Sequence, residues 1–334
     1  MSSALTRRAA LARMAAAAVL ASSLLAACSS TPDTAEPSAS APAAAFPVSV
    51  EHKFGSTTIA AQPKRVVTVG WNDQDFVLAL GVTPVSTREW FTEYPTYPWV
   101  AQALGGAKLP TFSAEINYEA ILAQQPDLII AIYETVTKET YDKLTQIAPT
   151  VIQSSAYPDE QTPWDVQTLT TGKALGKAAE AQALVDEVNA KVAAAKQAHP
   201  EFAGKTLVVD YGPENGLHWL IGADDPRRAL FDALGFATQD AKDEISEERL
   251  DLLDRDVLVV IGATKADSAK SAVFSRLNVV KTDRTLYTTF ETPLAGALSY
   301  SGPKALLYAL DILVPQLAAA ADGSPETAVK DLSN

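Results

Sequence analysis

The chain has 334 residues, with 27 Lys and Arg against 40 Asp and Glu, a formal net charge of −13 and 47% hydrophobic residues. That length suits two domains better than a single core. So acidic a protein is poorly placed to neutralise nucleic-acid phosphates, which excludes that class of partner.

Taken in chain order, the first 28 residues read as an export leader. Arg7, Arg8 and Arg13 form a basic region, and Met14 to Leu25 is an apolar run too short for the roughly 20 residues a bilayer core requires. LAAC then closes the leader at Cys28, the single cysteine of the chain, which therefore has no intramolecular disulfide partner. Cys28 stands where a bacterial lipobox places the residue that receives diacylglycerol, and lipid attachment is assigned to it. The Arg7-Arg8 pair leaves the general and the twin-arginine export routes both open. Residues 29–47, dominated by Ser, Pro, Ala and Thr, carry too little apolar surface to offset the entropy of ordering and predict a flexible tether. Leader, anchor and tether together predict an extracytoplasmic protein, lipid-anchored to the outer face of the cell membrane. No later apolar run approaches spanning length, so the body is expected to be soluble.

Beyond the tether, short β-branched runs alternate with helical stretches, the pattern of an α/β protein. RVVTVG (65–70) predicts a strand closing on Gly70, DQDFVLALG (73–81) a helix, and VTPV (82–85) a short strand. TLVVDYG (206–212), closing on Gly212, and RRALFDALGF (227–236) repeat the strand and the helix. Ala79-Leu80-Gly81 and Ala233-Leu234-Gly235 both predict a helix stopping at a left-handed glycine. The repetition goes further: Glu119 precedes Asp127 by eight positions, and Glu248 precedes Asp256 by eight. Each Asp opens an apolar strand, LIIA or VLVVI, and each Glu lies in the first turn of the short helix feeding it. Duplication of one helix–strand unit explains the match. Between the halves, Val166, Leu169, Leu175, Leu184, Val185, Val188 and Val192 recur near a helical period, with no Pro before Pro200. They predict one helix over 164–199, ~50 Å long, whose soft spots are Gly172 and Gly176. The expected fold class is α/β, two Rossmann-like lobes bridged by one long rigid α-helix. Its parts are a lobe over 48–163, the linker over 164–199, a lobe over 200–322 and a tail over 323–334.

Catalytic signatures such as G-x-S-x-G, G-x-x-x-x-G-K-[ST] and G-x-G-x-x-G do not occur, which argues against an enzyme. The three histidines, His52, His199 and His218, lie far apart without metal-ligand spacing, which argues against a His-based zinc site. Aromatic and Arg residues gather instead at predicted strand ends and loops. The first half supplies Trp71, Arg88, Trp90, Phe91, Tyr94 and Tyr133; the second supplies Tyr211, Trp219, Arg227, Arg228, Tyr287 and Tyr300. Such a mixture suits a flat, aromatic, anionic ligand, because ring faces stack on it and guanidinium forks bind its oxygens. Cleft and core compete for each of these side chains. Trp99 falls on the apolar side of a helix and is assigned to the core, Trp164 opens the linker, and Tyr287 suits an edge strand. Arg227 and Arg228 stand at a helix start, where a cation opposes the helix dipole. They call for a partner, either Asp224-Asp225 or a ligand.

Six phrases in order carry a resemblance: PKRVVTVGWNDQDFVLALGVTPV (63–85), INYEAILAQQPDLIIA (116–131), YDKLTQIAPTV (141–151), WDVQTLTTGKALGKAAEAQALVDEV (164–188), SEERLDLLDRDVLVV (246–260) and LSYSGPKALLYALDILVPQLA (298–318). The series resembles the iron-siderophore substrate-binding lipoproteins of bacterial ABC importers, the branch with ferric-enterobactin-type and vitamin-B12-type binders. It covers nearly all of the chain beyond the leader. The resemblance implies two α/β lobes joined by one helix and a ferric siderophore captured between them for delivery to a permease dimer. It also implies a glutamate at the tip of each lobe docking into arginine pockets of the permease; by phrase and spacing these are Glu119 and Glu248. The chelator wraps the iron, so no protein metal site and no cofactor are expected. GWNDQDF and WFTEYPTYPW (90–99) resemble the enterobactin-type members, and with the Trp-Arg-Tyr set they point to a catecholate. Haem or a corrinoid in the same transport role is the alternative, with Tyr133 or Tyr211 as a haem ligand. A cell-surface enzyme or adhesin on the same scaffold comes third.

Overall fold

A computed structural model describes residues 46–333 except 215, 224, 325 and 326. The leader, Cys28 and all of the tether but Phe46 and Pro47 lie outside the described residues. Phe46 packs on the first-lobe core, so the ordered body opens two residues earlier than the expected boundary.

The body begins with an antiparallel hairpin, β1 (Val48–His52) and β2 (Gly55–Ile59), whose alternation buries Val50 and Ile59. The first lobe follows as β3 (Val66–Thr68), α1 (Asp73–Ala79), β4 (Ser86–Arg88), α2 (Pro98–Leu104), β5 (Thr111–Phe112), α3 (Tyr118–Ala123), β6 (Leu128–Ala131), α4 (Lys138–Thr145) and β7 (Thr150–Ile152). Its five strands run in the order β5-β4-β3-β6-β7, all parallel. A parallel strand covered on both faces needs a continuous apolar run, which is why VVT and LIIA show no polar alternation.

The predicted linker helix is two helices, α5 (Trp164–Leu175) and α6 (Ala178–Ala198). Gly176, at φ 71°, caps α5 in the left-handed region, and the Lys177 amide donates back to the Gly172 carbonyl at 2.7 Å. That six-to-one bond ends a helix more firmly than apolar periodicity can continue it. Gly172 is the point of closest approach of the two helices, since a Cβ there would collide with that of Ala181. Ala174 and Leu175 of α5 belong to the first-lobe core. Only α6 crosses: Ala181 and Leu184 enter the first-lobe core, while Val188 and Val192, on the same helical stripe, enter the core of the other lobe. With 21 residues it is ~32 Å long, shorter than expected.

The second lobe comprises β8 (Thr206–Glu214), β9 (Leu217–Leu220), α7 (Ala229–Leu234), β10 (Ala237–Thr238), β11 (Asp243–Ser246), β12 (Val257–Ile261), α8 (Lys265–Ser268), α9 (Asn278–Lys281), β13 (Thr285–Thr288), α10 (Pro293–Tyr300) and α11 (Pro303–Ala321). The sheet order is β11-β9-β8-β12-β13, with β10 beside the start of β8. The lobes are therefore not copies. β8, β12 and β13 are parallel as in the first lobe, but β9 and β11 are antiparallel. β8 does not close on Gly212; it continues to Glu214 and doubles back as β9. A side chain at Gly212 would press on the Leu217 carbonyl and His218 Cα at 3.0 and 3.1 Å, so the glycine serves the hairpin rather than a strand end. Gly81 and Gly235 do end α1 and α7 in the left-handed region, at φ 73° and 108°.

Helix α11 also departs from expectation, because its length and composition suffice to cross a bilayer. Its Leu306, Leu310, Leu313 and Leu317 are packed in the second-lobe core, which accounts for the apolar run. Beyond it, the tail lies along β13, with the Leu332 amide donating to the Tyr287 carbonyl at 3.1 Å.

Two carboxylates of α1 organise the lobe junction. Asp73 accepts from the amides of Gly70 (2.9 Å), Ile132 (3.0 Å) and Tyr133 (3.1 Å), which fixes α1 against the ends of β3 and β6. Asp75 Oδ1 accepts from Tyr94 Oη at 2.8 Å and Trp99 Nε1 at 2.7 Å, and its Oδ2 from the Gly302 amide of the second lobe at 3.1 Å. Beside it, Asn72 Nδ2 donates to the Tyr300 carbonyl at 3.0 Å. Burial pushes both carboxyls up to about 6, against the pull of these hydrogen bonds. A carboxyl that titrates higher folded than unfolded keeps its proton longer in the fold, so the fold loses stability as pH rises from about 4 to about 6. The stability difference between wild type and Asp75→Asn should therefore move against wild type by about 1.4 kcal/mol per pH unit over that window, and level off above it. Chemical denaturation of both proteins from pH 4 to 8 measures this, and a pH-independent difference would overturn the assignment.

Candidate functional site

Two adjoining cavities share Trp219 and Arg227. One, of about 300 Å³, lies between the lobes, with Tyr133, Asp159 and Glu160 facing Trp219, Arg227 and Asp243. The other, of about 600 Å³, is walled by Tyr211, Pro213, Trp219, Arg227 and Phe290 of the second lobe. Tyr133 follows the end of β6, and Phe290 follows β13. Tyr211 pairs with Trp219 across the β8–β9 ladder. The site thus sits off the carboxyl ends of parallel strands, where open α/β sheets bind ligands. Alternation along β9 turns Trp219 outward, 46% exposed, while His218 and Leu220 face in.

Arg227 is already engaged. Its Nε and Nη2 donate to the two oxygens of Asp225 at 2.9 and 2.5 Å, and its guanidinium carbon lies 4.8 Å from the centre of the Tyr211 ring. Of the partners suggested by sequence, Asp225 holds it; Asp224 lies outside the described residues. Tyr211 Oη is 3.2 Å from Ser299 Oγ. Burial pushes the Tyr133 phenol well up, so it keeps its proton at neutral pH. Among the described residues no cluster of three or more His, Cys, Asp or Glu is placed to hold a metal ion.

Of the ten expected ligand-binding residues, Tyr133, Tyr211, Trp219 and Arg227 line these cavities. Arg88, Trp90, Tyr94 and Tyr300 instead surround a separate cavity of about 140 Å³ at the lobe junction. Arg88 is buried there in an ion pair with Glu134, donates to the Ala114 carbonyl, and lies with its guanidinium carbon 3.3 Å from the Trp71 ring centre. Trp71 is therefore covered by an arginine of its own lobe. Tyr94 and Tyr300 are buried and stacked at 4.2 Å, the first donating to Asp75 and the second accepting from the Phe91 amide. Both are junction core, because a buried phenol goes where a partner for its hydroxyl exists. Arg228 is fully buried away from the cleft. It donates to Asp232 and Thr238 at 2.8 Å and to Gln239 and the Ala237 carbonyl at 3.1 Å, which pins α7 to β10. Tyr287 is buried in the edge strand β13, and Trp99 is core, as expected for both.

The sequence did not single out Asp159, Glu160, Pro213, Asp243 or Phe290. For Phe290 a signal existed: Gly262 closes VLVVI as Gly70 closes the first strand, and a Cβ on it would meet the Phe290 ring. The others reach the cleft only through chain packing.

Glu119 and Glu248 are both exposed, each in the first turn of its helix, α3 and the 3-10 helix Glu247–Leu253. Two residues after each, Ile121 or Leu250 is fully buried. The repeated aspartates have matching roles too: Asp127 accepts from the Lys64 and Arg65 amides before β3, and Asp256 from the Thr206 amide at the start of β8.

The family described as periplasmic binding protein matches residues 66–284. The Fe(3+)-citrate-binding protein YfmC of Bacillus subtilis (strain 168) is 30% identical over 71% of this chain and 78% of its own. A periplasmic solute binding protein from Mycobacterium smegmatis superposes with TM-score 0.76 and 32% identity over 82% of this chain and 98% of that one. PiaA of Streptococcus pneumoniae TIGR4, in complex with ferrichrome, superposes with TM-score 0.70 and 27% identity over 83% and 99%.

The buried Arg228 should respond differently from the cleft tryptophan. Arg228→Met strands Asp232 and Gln239 and should cost about 3 kcal/mol or more. Trp219→Ala should cost no more than about 0.5 kcal/mol, as for an exposed substitution. Urea denaturation of both variants checks this, and comparable losses would contradict the two placements.

Proposed function

Because the chain belongs to the periplasmic binding protein family, we propose that it captures a ferric siderophore between its lobes and delivers it to an ABC importer permease for iron uptake. The observation that carries this is the interlobe cavity, where Tyr133 of one lobe faces Trp219 and Arg227 of the other. Aromatic walls suit an organic chelator, and a chelator that saturates the iron asks no ligand of the protein. The relatives named for Fe(3+)-citrate and ferrichrome support a ferric chelate as cargo. The role is binding and hand-over, not catalysis. A leader ending at Cys28 supports an extracytoplasmic protein anchored by lipid to the outer face of the cell membrane. Of the residues expected to form a catecholate site, Tyr133, Tyr211, Trp219 and Arg227 line the cavities, while Trp71, Trp90, Tyr94, Tyr300, Arg88 and Arg228 lie elsewhere.

Glu119 and Glu248 are the proposed docking carboxylates. Each is held at the surface by the buried aliphatic two residues on, and Leu122, 58% exposed at the position three after Glu119, shares its helical face. A charge beside an exposed apolar side chain suits a protein partner. The double variant Glu119→Ala/Glu248→Ala should abolish cellular uptake of radiolabelled ferric siderophore while changing affinity less than about twofold. Uptake that survives would remove the docking assignment. Failure of every ferric siderophore to give saturable tryptophan quenching would remove the transport reading itself.

A further inference from the structure

We infer that the ferric complex taken into this cleft carries no net negative charge, and is a neutral or cationic trihydroxamate rather than a trianionic tris-catecholate. The inference rests on the binding function proposed above and concerns the class of its cargo. A desolvated trianion needs cations that are free to meet it, and the arginines cannot serve. Arg88 is neutralised by Glu134 inside the first lobe, and Arg228 is sealed under α7 by Asp232 and its hydroxyl and amide partners. Arg227 alone reaches the cleft, with both arms of its fork on Asp225.

The rest of the lining has the opposite sign. Asp159, Glu160, Asp225 and Asp243 outnumber Arg227 and Lys242 around the interlobe cavity. Asp159 is paired with Lys53 at 2.5 Å and Asp225 with Arg227, which leaves Glu160 and Asp243 against Lys242, an excess of one negative charge; Glu160 accepts a hydrogen bond from Thr135 Oγ1 at 3.1 Å. Among the described residues the adjoining cavity contributes no further charge beyond Arg227. A protein carrying −13 overall also repels an anion at a distance, which slows its capture. Three hydroxamates cancel the three charges of ferric iron, whereas three catecholates leave three negative charges. The apolar connectors of a trihydroxamate find Tyr211, Pro213, Trp219 and Phe290 as walls. A pendant ammonium on such a ligand would find Glu160 and Asp243.

The test titrates the leader-free chain with four ferric complexes, following tryptophan fluorescence at low and high salt. They are ferrioxamine B, which carries an ammonium, its neutral N-acetyl form, ferrichrome and ferric enterobactin. Expected are saturable binding of the trihydroxamates and affinity for the catecholate at least about 100-fold weaker, as uncompensated like charge in a cleft dictates. Glu160→Gln/Asp243→Asn should narrow the preference for ferrioxamine B over its N-acetyl form by about tenfold, the scale of one partly buried charge pair. Equal or tighter binding of the catecholate overturns this inference and leaves the siderophore role standing. An ammonium preference that is absent, or unchanged in the double variant, overturns the part assigned to Glu160 and Asp243. Silence with all four complexes overturns the siderophore role and this inference with it.

Discussion

The body depends on a carboxylate buried where two lobes meet. Asp75 gathers a phenol, an indole and a backbone amide from three separate segments, and one of these, Gly302, comes from the second lobe. A buried charge is tolerated only when its oxygens are saturated, so each donor is positioned by the carboxylate and holds it in return. Gly302 has to be glycine for the same reason, since a Cβ would collide with Asp75 Oδ2. Asp73, one turn-half away on α1, ties the same helix to the end of β6, from which Tyr133 enters the cleft. The junction and the binding wall are therefore set by one short helix.

Charge pairing explains the site as much as shape does. Each of the three arginines that looked available for a ligand has an acidic partner: Glu134, Asp225 or Asp232. The Arg88–Glu134 pair and the Arg228 guanidinium are buried within a lobe, where a lone charge would be costly to hold. What remains in the cleft is aromatic surface with an acidic rim. That combination selects cargo by charge as well as by the area of its rings and connectors, and it shifts attention from arginine forks to Trp219, Tyr211 and Phe290.

The duplicated phrase and the unequal sheets are compatible. The helix–strand unit around Glu119 and Asp127 returns around Glu248 and Asp256 because in both lobes the Asp fastens the start of the neighbouring first strand. The lobes diverge where β8 turns back on itself after Gly212, while the first lobe enters α1 after Gly70. The hairpin brings Trp219 outward opposite Tyr211. One lobe thus supplies the organising carboxylates and the other most of the aromatic wall.

Short-range patterns were legible in the chain itself. Apolar runs such as LIIA and VLVVI, the glycines closing α1 and α7, and the eight-residue spacing of Glu and Asp all act through neighbours a few residues away, so sequence alone determines them. The α/β class and the two-lobe plan followed from their order. The break at Gly176 was visible as a soft spot, but a left-handed cap and the packing of Gly172 against Ala181 decided it. Tertiary structure alone decided which aromatic or arginine sees the cleft. Tyr94, Tyr300 and Arg228 read like ligand residues in one dimension, yet their partners, Asp75, the Phe91 amide and Gln239, become neighbours only on folding. A polar side chain goes where its charge or hydroxyl is satisfied, and that place is fixed by contacts between distant segments rather than by the residues beside it.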